Sequence, residues 1–279
     1  VLSYRHAYHA GNHADVLKHS VLVALLEHLT LKDSPLWYID THAGAGIYAL
    51  DRPPASEHRE HARGIGRLWP LRGSSGPLAR YLAVVQAANP DDALLSYPGS
   101  PWFARALLRR QDKLWLFDRH PAEFASLQRA FPQKNIKVAN TDGLAALRAL
   151  LPPAPRRALV MIDPAYEQKS EYVDVPSALG EALERFSTGT YMLWYPRIAG
   201  RDAESLLQRL DALRCPRWLH ASLDVGHPGP DTPNLFGSGV FVVNPPHTLP
   251  AMLEASLPLL QDSLALDDGA RWHLDHALP

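Results

Sequence analysis

Short apolar runs that each stop at an acid recur along this chain, with helical stretches between them. "LWYID" ends at Asp40, "KLWLFD" at Asp118, "NIKVANTD" at Asp142 and "RALVMID" at Asp163. The intervening and following segments "PWFARALLRR", "PAEFASLQRAF", "LAALRALL", "SALGEALERF" and "AESLLQRLDAL" carry helical patterns. Such alternation predicts a mostly parallel sheet with helices on both faces, because parallel neighbours need a long crossover. Seven strands are expected. The last two, "RWLHASLDV" and "SGVFVVNPP", are joined only by "GHPGPDTPNLFG", so the seventh strand runs antiparallel. A polar tail should follow it. In an open sheet of this kind ligands sit beyond the carboxyl ends of the strands, so the four acids share one rim.

Composition narrows the class. A single cysteine, Cys215, rules out an intrachain disulfide and four-cysteine zinc sites, which fits a reducing cytoplasm. The opening "VLSYRHAYHAGNHADVLKH" is polar and histidine-rich where a secretory leader would be apolar, and "VLVALL" is too short to span a bilayer. A soluble cytoplasmic protein without membrane contact is expected. The net charge of −1 argues mildly against nucleic acid. Residues 51–80, however, carry six arginines against three acids, and the planar guanidinium fork suits phosphate. Arg59, Arg63 and Arg67 are therefore candidate RNA contacts, with a merely solvated helical face as the alternative. Residues 51–95 read as an inserted helical subdomain in a Rossmann-like domain built from 1–50 and 96–279. "NHADVLKHSVLVALLEHL" reads as a helix capped by Asn12, with Asp15 near its positive end and Leu17, Val21, Leu25 and Leu29 on one face. His6, His9, His13 and His19 crowd this end, but His13 and His19 fall on different helix faces, so no metal site is expected.

The strand ends carry the chemistry. "GAGIYA" fits the glycine pattern of dinucleotide folds, yet its partner acid comes too late in the chain. Asp40-x-x-x-Gly44-x-Gly46 is instead similar to the first motif of S-adenosylmethionine-dependent methyltransferases. The turn would let backbone approach the cofactor. Asp40 would hold its amino group, Asp118 its ribose hydroxyls and Asp142 its adenine amine, unless these acids only cap helices. "IDPAY" then gains a meaning. An exocyclic adenine amine is a poor nucleophile because its lone pair is conjugated with the ring. The Asp163 carboxylate and the Pro164 carbonyl can accept its two N–H bonds and free the lone pair, while Tyr166 offers a stacking face. The rival "NPPH" at Asn244 follows the reversed strand, lacks an aromatic and reads as a turn. Trp37, Trp115 and Trp194 lie inside strands and read as core.

"LSYRHAYHAGNHADVLKH", "DTHAGAG", "YPGSP", "NTDG" and "IDPAY" together resemble the RlmJ family of bacterial 23S ribosomal RNA adenine-N6 methyltransferases, in order along nearly the whole chain. The resemblance implies a class I methyltransferase fold with a helical insertion. It implies S-adenosylmethionine as cofactor, no metal, and methylation of one adenine in free or incompletely assembled 23S RNA. It places His19, His42, Ser100, Asp118, Asp142, Gly143 and Asp163 at cofactor-contacting positions, with Asp163 also catalytic. It places Tyr4, His6 and Lys18 in the active site and against the RNA. Asp118 and Ala165 depart from the family pattern, which has glutamate and a second proline there. A monomer without obligate protein partners is expected. The alternatives are a DNA adenine-N6 methyltransferase and a non-catalytic RNA-binding protein that keeps the fold.

Overall fold

The structure is a computed structural model and describes residues 5–229 and 235–278. Tyr4 therefore lies outside the described residues. Helix α1 (His13–Thr30) starts where the Asn12 side chain accepts from the backbone N–H of Ala14 and Asp15. The chain then runs β1 (Trp37–Asp40), β2 (Ile47–Ala49), α2 (Ala55–His58), α3 (Ile65–Leu68), α4 (Ala79–Ala87), β3 (Ser96–Pro98) and α5 (Ser100–Leu107). It continues through β4 (Lys113–Phe117), α6 (Pro121–Ala130), β5 (Ile136–Ala139), α7 (Gly143–Leu150), β6 (Ala158–Ile162), α8 (Glu171–Arg185) and β7 (Thr190–Ile198). It closes with α9 (Ala203–Asp211), β8 (Trp218–Asp224), β9 (Leu235–Val243), α10 (Leu249–Leu264) and β10 (Arg271–Ala277).

One sheet has eight strands in the order β10-β8-β9-β7-β6-β1-β4-β5. β5, β4, β1, β6 and β7 pair in parallel, and β9 runs antiparallel between β7 and β8. The chain steps from β1 outward to β4 and β5, then returns to β6 on the other side. That reversal opens a crevice at the carboxyl ends. The expected seven strands are all present, but the expected polar tail is not. It is α10, which buries Leu249, Leu253, Leu257, Leu260 and Leu264, followed by the edge strand β10 on β8. The leucines recur every three or four residues, the period of one helix face.

α1 differs from its expected single apolar face. Val16, Leu22, Val23 and Leu26 are buried along with Leu17, Val21 and Leu25, because α4, α5, α10 and β9 surround the helix. The glycine turn after β1 leads into β2 and not into a helix. β2 pairs antiparallel with β3, and Gly99 N–H bonds to the Gly46 carbonyl at 2.9 Å. Residues 51–95 thus leave and re-enter at one point, and the crossover helix that follows β1 is α5. Ile65, Leu68, Tyr81, Leu82 and Val85 of the excursion belong to the same apolar core as α1. Asn244, of the rival motif, takes a left-handed turn at the start of β7, bonding the carbonyls of Ser187 and Gly189 at the sheet end away from the four acids.

Candidate active site

A cavity of about 250 Å³ opens at the carboxyl ends of β1, β4 and β6. His6, Lys18, His19, His42, Gly44, Ser100, Asp118, Asp163 and Pro164 all line it. Each arrives by a local cause. Gly44 has φ +60°, and a Cβ there would lie 2.2 Å from the Tyr48 hydroxyl, so only glycine makes this turn. Asp118, one residue past β4, is locked by the Gly44 N–H at 2.9 Å and the His120 N–H at 2.7 Å. His19, on α1, meets the Tyr97 hydroxyl at 2.9 Å and stacks on Phe103. Burial holds both His19 and His42 below the ordinary imidazole value, so both are neutral near pH 7.

Asp163 follows β6, and Lys18 reaches it from α1. The Lys18 ammonium lies 2.6 Å from Asp163 Oδ2 and 2.9 Å from Asp15 Oδ1. Asp15 in turn accepts from His6 Nε2 at 2.9 Å and from the Gly11 N–H at 2.8 Å. Burial alone would lower the Lys18 ammonium, but the two carboxylates hold it above its ordinary value. Burial alone would raise Asp15, but His6 and Lys18 hold it well below the usual carboxylate range. Trp194 of β7 sits beside Asp163, because Leu193 pairs with Ile162. Its ring lines the cavity, with the Lys18 ammonium 5.1 Å from its centre.

Several expected site residues stand elsewhere. Tyr166 is only 1 % exposed, and its hydroxyl donates to the Trp194 carbonyl at 3.1 Å. The backbone is left-handed at Tyr166, φ 52°, which turns the ring into the core; Pro164 and Ala165 form the cavity wall. It therefore offers no stacking face. Asp40 is fully buried, takes hydrogen bonds from Tyr38, Ser100 and the His42 N–H, and does not line the cavity. Burial above all pushes it up to about 6. It braces the turn and the start of α5. Asp142 caps α7 through the Ala145 N–H at 3.0 Å and is outside the lining. Gly143 is needed because a Cβ would lie 2.2 Å from the Thr41 carbonyl oxygen, and at Gly46 a Cβ would strike Phe131. Lys18 is buried between its carboxylates in the cavity wall and is not on the outer surface expected of a phosphate contact. Arg67 bonds the Ala265 carbonyl at 2.7 Å, past the end of α10, while Arg59 and Arg63 are exposed.

Sequence reasoning passed over Asp15, Glu123 and Arg119, and it read Trp194 as core, where the residue is buried while also lining the cavity. Asp15 and Lys18 are three apart on a helix, so their pairing was readable; the dipole role of an acid near the helix start masked it. Trp194 lies in "YMLWYP", where every residue looks like core, and only its register with Asp163 reveals it. The four N-terminal histidines do not converge. Among the described residues, only exposed His227, Asp267 and Asp268 group closely enough to suggest metal ligands.

Comparison with known proteins agrees with this geometry. The family model described as "Ribosomal RNA large subunit methyltransferase D, RlmJ" matches residues 33–276. Ribosomal RNA large subunit methyltransferase J of Escherichia coli K12 is 42% identical over 265 residues, covering 95% of this chain and 94% of the relative. The protein of the same name from Haemophilus influenzae Rd is 39% identical over 281 residues, covering 100% of both chains. A crystal structure of a Legionella pneumophila Philadelphia 1 protein, 36% identical, superposes with a TM-score of 0.87 over 96% of this chain and 98% of that one. A chain whose fold, strand-end acids and full-length relatives agree in this way belongs to the RlmJ family of ribosomal RNA large subunit methyltransferases.

Proposed function

We propose that this protein transfers a methyl group from S-adenosylmethionine to N6 of an adenine in 23S ribosomal RNA. The observation that carries the reading is the convergence of Asp163-Pro164 with the Gly44 turn and Asp118 on one cavity. The residues fit the cofactor: a cavity lined by the Asp118, Glu123 and Asp163 carboxylates suits a molecule bearing a sulfonium, an ammonium and two ribose hydroxyls. When bound it supplies an electrophilic methyl.

This chain's own groups do the rest. Asp118 holds the ribose, and the Gly44 turn brings backbone close. The target base leaves its stack to enter the cavity, which costs a few kcal/mol in paired RNA. Trp194 gives it a face, where stacking stabilises by about 1–3 kcal/mol. Asp163 and the Pro164 carbonyl accept the two N–H bonds of the amine and aim its lone pair. Lys18 keeps Asp163 in place. After transfer N6 sheds one proton, and Asp163 is the nearest acceptor. Catalysis is then mainly orientation. Arg119 lines the cavity with its side chain 63% exposed, and with Arg59 and Arg63 it is suited to phosphate.

Asp163→Ala should abolish tritiated-methyl transfer to 23S RNA while leaving the fold intact by circular dichroism. Near-normal turnover would reject the assignment. Mass spectrometry of ribosomal RNA from cells lacking the protein should show one adenine unmethylated, and DNA offered in its place should stay unlabelled.

A further inference from the structure

Glu123, in the first turn of α6, lines the cavity with Asp118, His120 and Tyr48. Its Oε2 is buried, and among the described residues no donor bonds it. Buried carboxylate oxygens nearly always have a donor, and in a residue that lines a cavity a bound ligand is the group that brings it. Burial first, then the charge of Asp118, raises the Glu123 carboxyl above its ordinary value, against the pull of His6, His120 and Arg5. Asp118 has already committed each oxygen to a backbone N–H, from Gly44 and from His120.

We propose that Glu123 is a cofactor-binding residue whose carboxylate accepts a ribose hydroxyl of S-adenosylmethionine beside Asp118. The inference rests on the placement of the ribose at Asp118. A ribose presents two adjacent hydroxyl donors, and Asp118 just after β4 with Glu123 in the first turn of α6 present two acceptors to match. The methionine ammonium is the other donor on the molecule. Glu123 is assigned to the sugar because it neighbours the carboxylate that holds the sugar.

Two probes separate these donors. S-adenosylhomocysteine carries ribose and ammonium, whereas methylthioadenosine keeps the ribose and lacks the amino acid. Calorimetry should show Glu123→Ala weakening both by the same factor, on the order of 10-fold, as expected for a hydrogen bond to a charged acceptor. Glu123→Met fills a similar volume without an acceptor; it should lose the same factor, and it carries the test if the alanine variant does not fold. Loss confined to S-adenosylhomocysteine would give Glu123 to the ammonium and overturn the ribose assignment. No loss on either probe, while Asp118→Ala weakens both, would overturn the role of Glu123 and keep the ribose at Asp118. If neither Asp118→Ala nor the Glu123 variants weaken either probe, the sugar binds elsewhere and both readings fall.

Discussion

Lys18 stands between two carboxylates, and the ring of Trp194 closes over it. An adenine brought to Asp163 would meet that ring. Trp194→Ala should raise the KM for RNA by about 5- to 150-fold, the equivalent of about 1–3 kcal/mol of stacking, whereas Trp194→Phe should keep most of it. Tyr166→Phe loses only a hydrogen bond to the Trp194 carbonyl, worth about 1 kcal/mol of stability, and should leave steady-state methyl transfer unchanged. Asp40 gives a pH dependence of defined sign. Its folded value of about 6 lies above the ordinary 3.8, so the fold prefers the protonated acid. That preference is fully present below 3.8 and is lost as pH rises through 6. The shift corresponds to about 3 kcal/mol at full ionisation. Asp40→Asn has no such proton to lose. Its urea midpoint relative to wild type should therefore climb between pH 4 and pH 7, and a flat difference would show that Asp40 does not titrate there.

Among the elements, α10 has the largest consequence that its sequence context hid. Leu253, Leu257 and Leu260 are fully buried and help close the core around α1. Leu257→Ala should cost about 2–5 kcal/mol, read as a lower midpoint in chemical denaturation. Leu257→Met, which conserves volume, should cost under about 1.5 kcal/mol. Four of the parallel strands, β1, β4, β5 and β6, were legible because each is a short apolar run closed by an acid, and the reversed strand because no helix precedes it. α10 was not, because Pro250 and Pro258 break the look of a helix and the Asn-Pro-Pro turn before it looks like an ending. Pro250 is tolerated in the first turn, where its missing N–H has no partner to lose. Strand-end acids are legible as a class but not in their division of labour. Asp40, Asp118 and Asp142 share a pattern, yet burial makes one a brace, the cavity claims the second, and the α7 terminus takes the third.

At the scale of the whole molecule, the excursion at 51–95 reaches the site through Tyr81, which bonds the Tyr97 hydroxyl beside His19, and through the N-terminal segment. The Ile65 N–H bonds the Gly11 carbonyl at 2.9 Å, and Glu60 holds the Asn12 side chain and His9, each at 2.9 Å. Asn12 caps α1, and the first turns of α1 carry Asp15 and Lys18. Gly64 is the tightest point of this contact. A Cβ there would lie 2.1 Å from the Gly11 carbonyl oxygen and within 2.7 Å of the Asn12 backbone. These are main-chain atoms, so Gly64→Ala must push the cap away from the excursion. The Gly11 N–H that steadies Asp15 moves with it, and Lys18 and His6 lose their common anchor. Asp118 bonds none of these groups, its partners being the Gly44 and His120 N–H, although the His6 ring packs on Tyr48 at that end. Gly64→Ala should therefore lower kcat for RNA methylation by about tenfold or more, as orientation at Asp163 degrades. Calorimetric affinity for S-adenosylhomocysteine should stay within about twofold of wild type, because a displacement near Asp163 leaves the Asp118 contacts in place. Equal losses in kcat and in cofactor affinity would mean that the excursion supports the whole cavity and not its catalytic end alone.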